Sequence, residues 1–268
     1  MLMNNRKLMF LKKKQYIINA IIRRRNLLKY IQKLKPFPLK SNYNSIIPLN
    51  IYQTWYTKRL PPLMARCVHR LRLSNPRFNY YLFDDYDCRE FIKNNFQEDV
   101  LNAFDRLIPG AYKADLWRYC ILYKRGGIYL DIKYECFNHF KFIHLTESEH
   151  FVSDLNNHGI YNALLVCLPG NEILLNSINK IVEHVNNRYY GNGCLDPTGP
   201  HLLGKFISNN DSKVDLKHKV LGANLNNRTI CYQENTILKS YNGYLSESGH
   251  YKKTEHYSKL WGERNIYK

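Results

Sequence analysis

Asp131 follows the short apolar run GIYL (127–130), with Lys133 two residues on and Glu135 four residues on. Upstream, Asp115 and Arg118 stand three apart, the spacing that puts two side chains on one face of a helix. If 128–132 is a strand, its period of two sets Tyr129, Asp131, Lys133 and Glu135 on one side and Ile128, Leu130, Ile132 and Tyr134 on the other. Carboxylates, a guanidinium and an ammonium then converge on one strand end from two elements. A second carboxylate at position 133 would make this a divalent-metal site. A lysine there cannot ligate a cation; it brings a point charge with three donors, which suits phosphate. Spacing alone leaves a second reading open, in which the Asp–Arg pair only holds the fold and Asp131 only shapes a turn.

The elements that must position these residues alternate. LNIYQTW (49–55) reads as a strand, PPLMARCVHRLRL (61–73) as a helix opened by proline, and FNYYLFDD (78–85) as a second strand. Helical turns follow over 87–95 and 98–107. The segment 111–124 reads as a helix stopped by Gly126 and Gly127, with a third strand over 128–132. NALLVCL (162–168) reads as a fourth strand and 171–185 as a helix. Alternating strands and helices predict an α/β layer structure with a largely parallel central sheet. Open sheets of this kind gather ligands at the carboxyl ends of their strands, where Asp131 stands.

Charge divides the chain. The net charge is +18, yet no Asp or Glu precedes Asp84, and 22 acidic residues balance 22 basic ones from there onward. Residues 1–40 hold 12 of the excess charges and read as a basic helix or arm, joined by KPFPLKSNYNS (35–45) to one domain over 41–268. The arm is either a solvated extension or a helix lying on an anionic membrane surface. A neutral body with no zinc, RNP or helix-turn-helix pattern argues against nucleic acid as a partner. Seven scattered cysteines without a C-x-x-C read as reduced, buried thiols. No run of about 18 apolar residues is present, and no secretory signal is expected, which favours a cytoplasmic or peripheral-membrane location.

Ordered blocks carry a resemblance: IPLNIYQTW, NPRFNYYLFDDYD, YKADLWRYCILYKRGGIYLDIKY, NALLVCLPGNE, TGPHLLG and HYSKLW. Together they resemble the DXD-motif sugar transferases of glycosyltransferase family 32, over about residues 46–261. That resemblance implies a GT-A-like nucleotide-sugar-binding fold and a UDP- or GDP-sugar donor. It also implies transfer with retention to a hydroxyl of a glycan, protein or lipid. It places Trp55 near the donor base, Asp115 and Arg118 at the donor sugar and phosphates, and Asp131 as the first carboxylate of the motif. Thr198, Gly199 and Pro200 match a loop near the site, and His256 with Trp261 match a terminal His…Trp signature for which His250 competes.

The motif itself departs from the family, reading Asp131-Ile132-Lys133 where the second aspartate would ligate Mn²⁺ or Mg²⁺. Three readings stand. Lys133 replaces the metal and neutralises the departing diphosphate. Alternatively Asp131, Glu135 and His256 hold a metal in a shifted site, or the chain is a catalytically degenerate sugar-nucleotide or glycan-binding protein.

Overall fold

A computed structural model describes Gln15, Phe37, Leu39–Val220, Asn227–Tyr251 and Lys253–Lys268. The basic arm therefore lies outside the described residues, apart from Gln15, Phe37, Leu39 and Lys40. From Lys40 onward the supposed linker is a docked strap. Lys40 pairs with Glu147, the Tyr43 hydroxyl meets His144 Nδ1 at 3.0 Å, and the Ile46 and Ile47 amides donate to Thr146 O.

The first sheet is the α/β layer that the alternation predicts. Strand β1 (Asn50–Thr54) is followed by helix α1 (Pro62–Ser74), β2 (Asn79–Phe83), α2 (Asp85–Asn95), α3 (Glu98–Arg106), α4 (Gly110–Arg125) and β3 (Gly127–Leu130). Strand β1 lies between β2 and β3 and is parallel to both, so the chain reverses its direction of winding at β1. The fourth strand, β6 (Leu164–Cys167), pairs with β3 antiparallel. The sheet is thus parallel over three strands and closes on an antiparallel edge.

A second sheet has no counterpart in the sequence reading. Its order is β4 (Tyr134–Cys136), β9 (Asn235–Ser240), β8 (Arg228–Tyr232), β7 (Leu216–Val220) and β5 (Val152–Ser153), and all of its pairings but β5–β7 are antiparallel. The remaining helices are α5 (Glu172–Asn186), α6 (Pro200–Leu203), α7 (Tyr244–Tyr251) and α8 (Tyr257–Gly262). No helix among the described residues is long and apolar enough to cross a membrane. All seven cysteines are free thiols, five of them buried.

Helix α4 forms the centre of the core. Leu116, Trp117, Tyr119, Cys120, Ile121 and Leu122 are all fully buried, because the helix is covered by sheet on one side and α5 on another. The α2 N-terminus carries a capping box between Asp84 and Asp87, which satisfies two orphan amides and fixes how the chain leaves β2. Helix α1 has no side-chain cap of its own. Its Leu63 and Met64 amides donate instead to the Glu247 carboxylate of α7, at 2.7 and 3.0 Å. The C-terminal residues close a short ladder on the α3–α4 junction, through Ile108 N to Ile266 O and Lys268 N to Arg106 O.

Two glycines set the step from α4 into β3. Gly126 has φ +60° and ends the helix; Gly127 has φ +110°, and a Cβ there would stand 2.8 Å from Asn50 O of β1. Only glycine takes both the positive φ and the close approach of two strands. Gly127→Ala should therefore lose roughly 2–3 kcal/mol of stability, the scale of backbone strain joined to a steric clash. Urea denaturation checks this, and a loss below about 0.5 kcal/mol, the scale of a neutral surface change, would mean that β1 and β3 separate freely.

Candidate active site

The three parallel strands end at one cavity of about 670 Å³. Thr54, Trp55 and Tyr56 reach it from the end of β1, Asp85 and Tyr86 from beyond β2, and Asp131 and Ile132 from beyond β3. Helix α4 contributes Ala111, Lys113, Ala114 and Arg118, and the C-terminal segment adds Tyr244, Lys253 and Lys268. The cavity lies where the order of strands reverses, the usual position of a ligand crevice in an open parallel sheet.

The local backbone at Asp131 differs from the strand expected over 128–132. β3 ends at Leu130, and the Tyr134 amide donates to Asp131 O at 3.1 Å, so residues 131–134 form a turn from one sheet into the other. The alternation of faces therefore stops at Asp131. Lys133 still meets it, by folding back across the turn with Nζ 2.5 Å from Oδ2. Glu135 does not join them: on β4 it pairs with Arg70 at 3.0 Å and Lys239 at 3.4 Å.

Asp131 Oδ1 accepts from the Tyr129 hydroxyl at 2.9 Å and from Arg118 Nη1 at 3.2 Å. Arg118 also donates to Asn162 O at 2.7 Å and Ala114 O at 3.1 Å, and its Nη2 lies 3.3 Å from Asp115 Oδ1. Its guanidinium carbon stands 4.3 Å from the Tyr129 ring centre, a cation–π contact. Asp115 is buried behind it, accepting from Asn162 Nδ2 at 2.8 Å and from the Thr198 hydroxyl at 2.7 Å.

The two aspartates respond oppositely to these surroundings. Burial pushes the Asp115 carboxyl up to about 6, against the pull of Arg118 and the Thr198 hydroxyl. For Asp131 burial also raises the pKa, but Lys133 and Arg118 outweigh it and hold the carboxyl below its ordinary value. Burial disfavours the Lys133 ammonium, and Asp131 more than offsets that, so Lys133 is charged across the physiological range.

Of the residues singled out from the sequence, Trp55, Arg118 and Asp131 line the cavity. Trp55 Nε1 is buried there without a hydrogen-bond partner among the described residues. Asp115 and Lys133 stand one layer behind, each bonded to a lining residue. Thr198 is fully buried and reaches the site only through Asp115, while a Cβ on Gly199 would lie 3.6 Å from Asp115 Oδ2. His256 caps α8, with Nδ1 2.7 Å from the Ser258 hydroxyl, and Trp261 donates to Tyr190 O at 2.7 Å. Neither lines the cavity. Asp131, Glu135 and His256 are thus not brought together, and the described residues contain no cluster of three His, Cys, Asp or Glu side chains able to hold a metal ion.

Lys113 went unnoticed in the sequence. It lines the cavity half-buried, donating to Phe104 O at 2.7 Å with Nζ 4.4 Å from that residue's ring centre. Burial lowers its pKa to about 8, helped by nearby Lys268. One signal was available: it is a lysine near the start of a helix, where the dipole disfavours cations.

Residues 61–152 match the family described as a glycosyltransferase sugar-binding region containing a DXD motif. The chain is 36% identical over 96 residues to inositol phosphoceramide mannosyltransferase 3 of Schizosaccharomyces pombe, covering 36% of this chain and 27% of that protein. It is 34% identical over 93 residues to an uncharacterized glycosyltransferase of Acanthamoeba polyphaga mimivirus, covering 34% of this chain and 37% of that one. The chain thus spans between about a quarter and two-fifths of these two relatives. Among solved structures, PaToxG glycosyltransferase has a TM-score of 0.47 at 16% identity, over 70% of this chain and 78% of that one. The resemblance drawn from the ordered blocks is borne out over residues 61–152, the segment that carries Asp115, Arg118 and Asp131 and matches the DXD-type glycosyltransferase sugar-binding family.

Proposed function

We propose that this chain transfers a sugar from a UDP- or GDP-sugar donor to a hydroxyl of a glycan, protein or lipid, with retention of anomeric configuration. The observation that carries the reading is the meeting of Trp55, Arg118 and Asp131 in one cavity at three strand ends, with Arg118 and Asp131 inside the matched segment. The Schizosaccharomyces pombe relative is named for mannosyl transfer, which makes mannose the first sugar to test.

In this reading the Trp55 indole offers a flat face to the donor base. Arg118 holds the donor sugar and phosphates, and Asp115 acts by fixing the guanidinium. Transfer leaves negative charge on the departing nucleoside diphosphate, and a pre-placed positive group lowers that barrier. The present residues do not suit a divalent cation in that role. Both Asp131 oxygens already face cationic donors, and Glu135 and His256 stand elsewhere. Lys133, with Arg118, supplies the charge instead. An Asp131 carboxylate so engaged favours electrostatic stabilisation over covalent attack, with departure and attack on the same face of the sugar.

Three outcomes follow. Asp131→Asn should lose at least about 10²-fold in turnover, the scale of one positioned electrostatic group, with circular dichroism to separate lost chemistry from lost fold; near-normal release of nucleoside diphosphate would remove this strand end from the mechanism. Transfer should also persist in excess EDTA, and Lys133→Ala should lose activity that Mn²⁺ does not restore. Strict dependence on added metal would refute the substitution of lysine for metal. Finally, Asp115 protonates as pH falls through about 6 and ceases to balance Arg118, whereas Asp131 stays ionised. The rate should therefore rise through about pH 6 to a plateau, and a pH profile equally steep in Asp115→Asn would assign that rise to another group.

A further inference from the structure

Part of the basic excess lies beyond the arm, in residues 41–83, which hold Lys58, Arg59, Arg66, Arg70, Arg72 and Arg77 and no acidic residue. All of these cations are exposed. Lys58 pairs with Asp87 and Arg70 with Glu135, while Arg59, Arg66, Arg72 and Arg77 have no ion pair among the described residues. Sugar transfer as outlined above uses none of them.

Helix α1 carries Arg66, Arg70 and Arg72, and its two sides differ sharply. Met64, Cys67 and Val68 are buried in one cluster with Ile132 and Tyr241. Helical spacing turns Arg66, His69 and Leu73 the other way, with Leu63 and Arg70 on one flank and Arg72 on the other. Leu73 is 67% exposed and Leu63 38%. Along the Arg72 flank runs a groove of about 410 Å³ between α1 and the edge strand β2, lined in part by Lys58, His69, Arg72, Tyr80 and Leu82. The Arg72 guanidinium lies over the Tyr80 ring, 5.4 Å from its centre.

Single exposed leucines are ordinary on a soluble surface. Here two of them share one helix face with unpaired cations, and a basic groove adjoins it. That combination suits a partner with phosphates at its surface and hydrocarbon just beneath, which is an anionic bilayer. Nucleic acid would engage the arginines through its phosphates and leave Leu73 in water. The face also stands close to the cavity. Ile132, packed under α1, lines it, and α7 holds the first turn of α1 through Glu247 while giving Tyr244 to the cavity wall.

We infer that the outer face of α1, with its groove against β2, docks on an anionic lipid bilayer. Arg66 and Arg72 meet lipid phosphates, and Leu73 enters the boundary of the acyl chains. This surface is separate from the basic arm and does not depend on the sugar-transfer reading; where both hold, transfer takes place beside a membrane.

The test is co-sedimentation of the full chain with vesicles of phosphatidylserine and phosphatidylcholine. Arg66→Gln/Arg72→Gln should weaken partitioning about 10-fold or more, since one basic residue at such a surface contributes about fivefold. Leu73→Ser, which changes no charge, should weaken it about threefold or more, the scale of partly burying a leucine. Lys180→Gln/Lys205→Gln removes the same net charge from residues outside α1 and its groove, and should change nothing. Equal partitioning of wild type and Arg66→Gln/Arg72→Gln, no partitioning of wild type, or an equal loss in the Lys180/Lys205 variant would each overturn the docking face. So would indifference to Leu73→Ser, above all if single-stranded RNA bound with the same dependence on Arg66 and Arg72. Thermal unfolding of each variant separates lost binding from lost fold. Docking that depends on Arg66, Arg72 and Leu73, without release of nucleoside diphosphate from any donor, would keep the surface and remove the transfer reading.

Discussion

A buried guanidinium organises this molecule. Arg118 is 5% exposed, and a charge so placed costs several kcal/mol unless its surroundings replace water. Two backbone carbonyls, two carboxylates and an aromatic face do so. Each partner arrives from a different part of the chain: Ala114 and Asp115 from the same helix, Tyr129 and Asp131 from β3 and its end, and Asn162 from the approach to β6. Asp115 in turn needs Thr198 and Asn162 to satisfy its own oxygens. Neutralising Arg118 would leave two carboxylates facing each other with little water, so the network stands or falls as a unit. The same network separates the two aspartates, because Asp115 has one cationic neighbour and deep burial, while Asp131 has two cations and a route to the cavity.

Much of this is legible in the sequence. The helix pair Asp115–Arg118 follows from a spacing of three in an apolar helix, and the strand end at Asp131 follows from the glycine stop before it. What periodicity could not show was the turn. Residues 128–132 alternate well enough to pass for five residues of strand, but the pull of β4 into another sheet overrides local pattern after Leu130. Thus Glu135, nominally on the face of Asp131, is committed to Arg70 and Lys239, while Lys133 keeps its place by reaching back. Thr198 was matched to the site by resemblance, yet it works from within the core.

The second sheet was invisible for a different reason. Its edge strands β4 and β5 are three and two residues long, and β4 pairs with a partner about a hundred residues further on. No local signal carries information of that range. This matters chemically, because the sheet brings His218 onto the Tyr161 ring, whose centre lies 5.5 Å from Lys133 Nζ. The basic excess of the sequence lies in the first 83 residues, whereas Lys113, which lines the cavity, comes from the neutral part of the chain.

The missing cap of α1 has a consequence in time. Its first amides wait for Glu247, and the junction after α3 waits for Ile266 and Lys268. During synthesis the amino-terminal half leaves the ribosome well ahead of both partners, so the helix beside β1 begins life frayed at its start. Contacts of such sequence separation form late and slow the search for the native state. The cavity wall made by Tyr244, Lys253 and Lys268 closes in the same late step. A nascent chain therefore holds its strand ends and Asp131 open until residues 244–268 have emerged, and closes the cavity only as they dock.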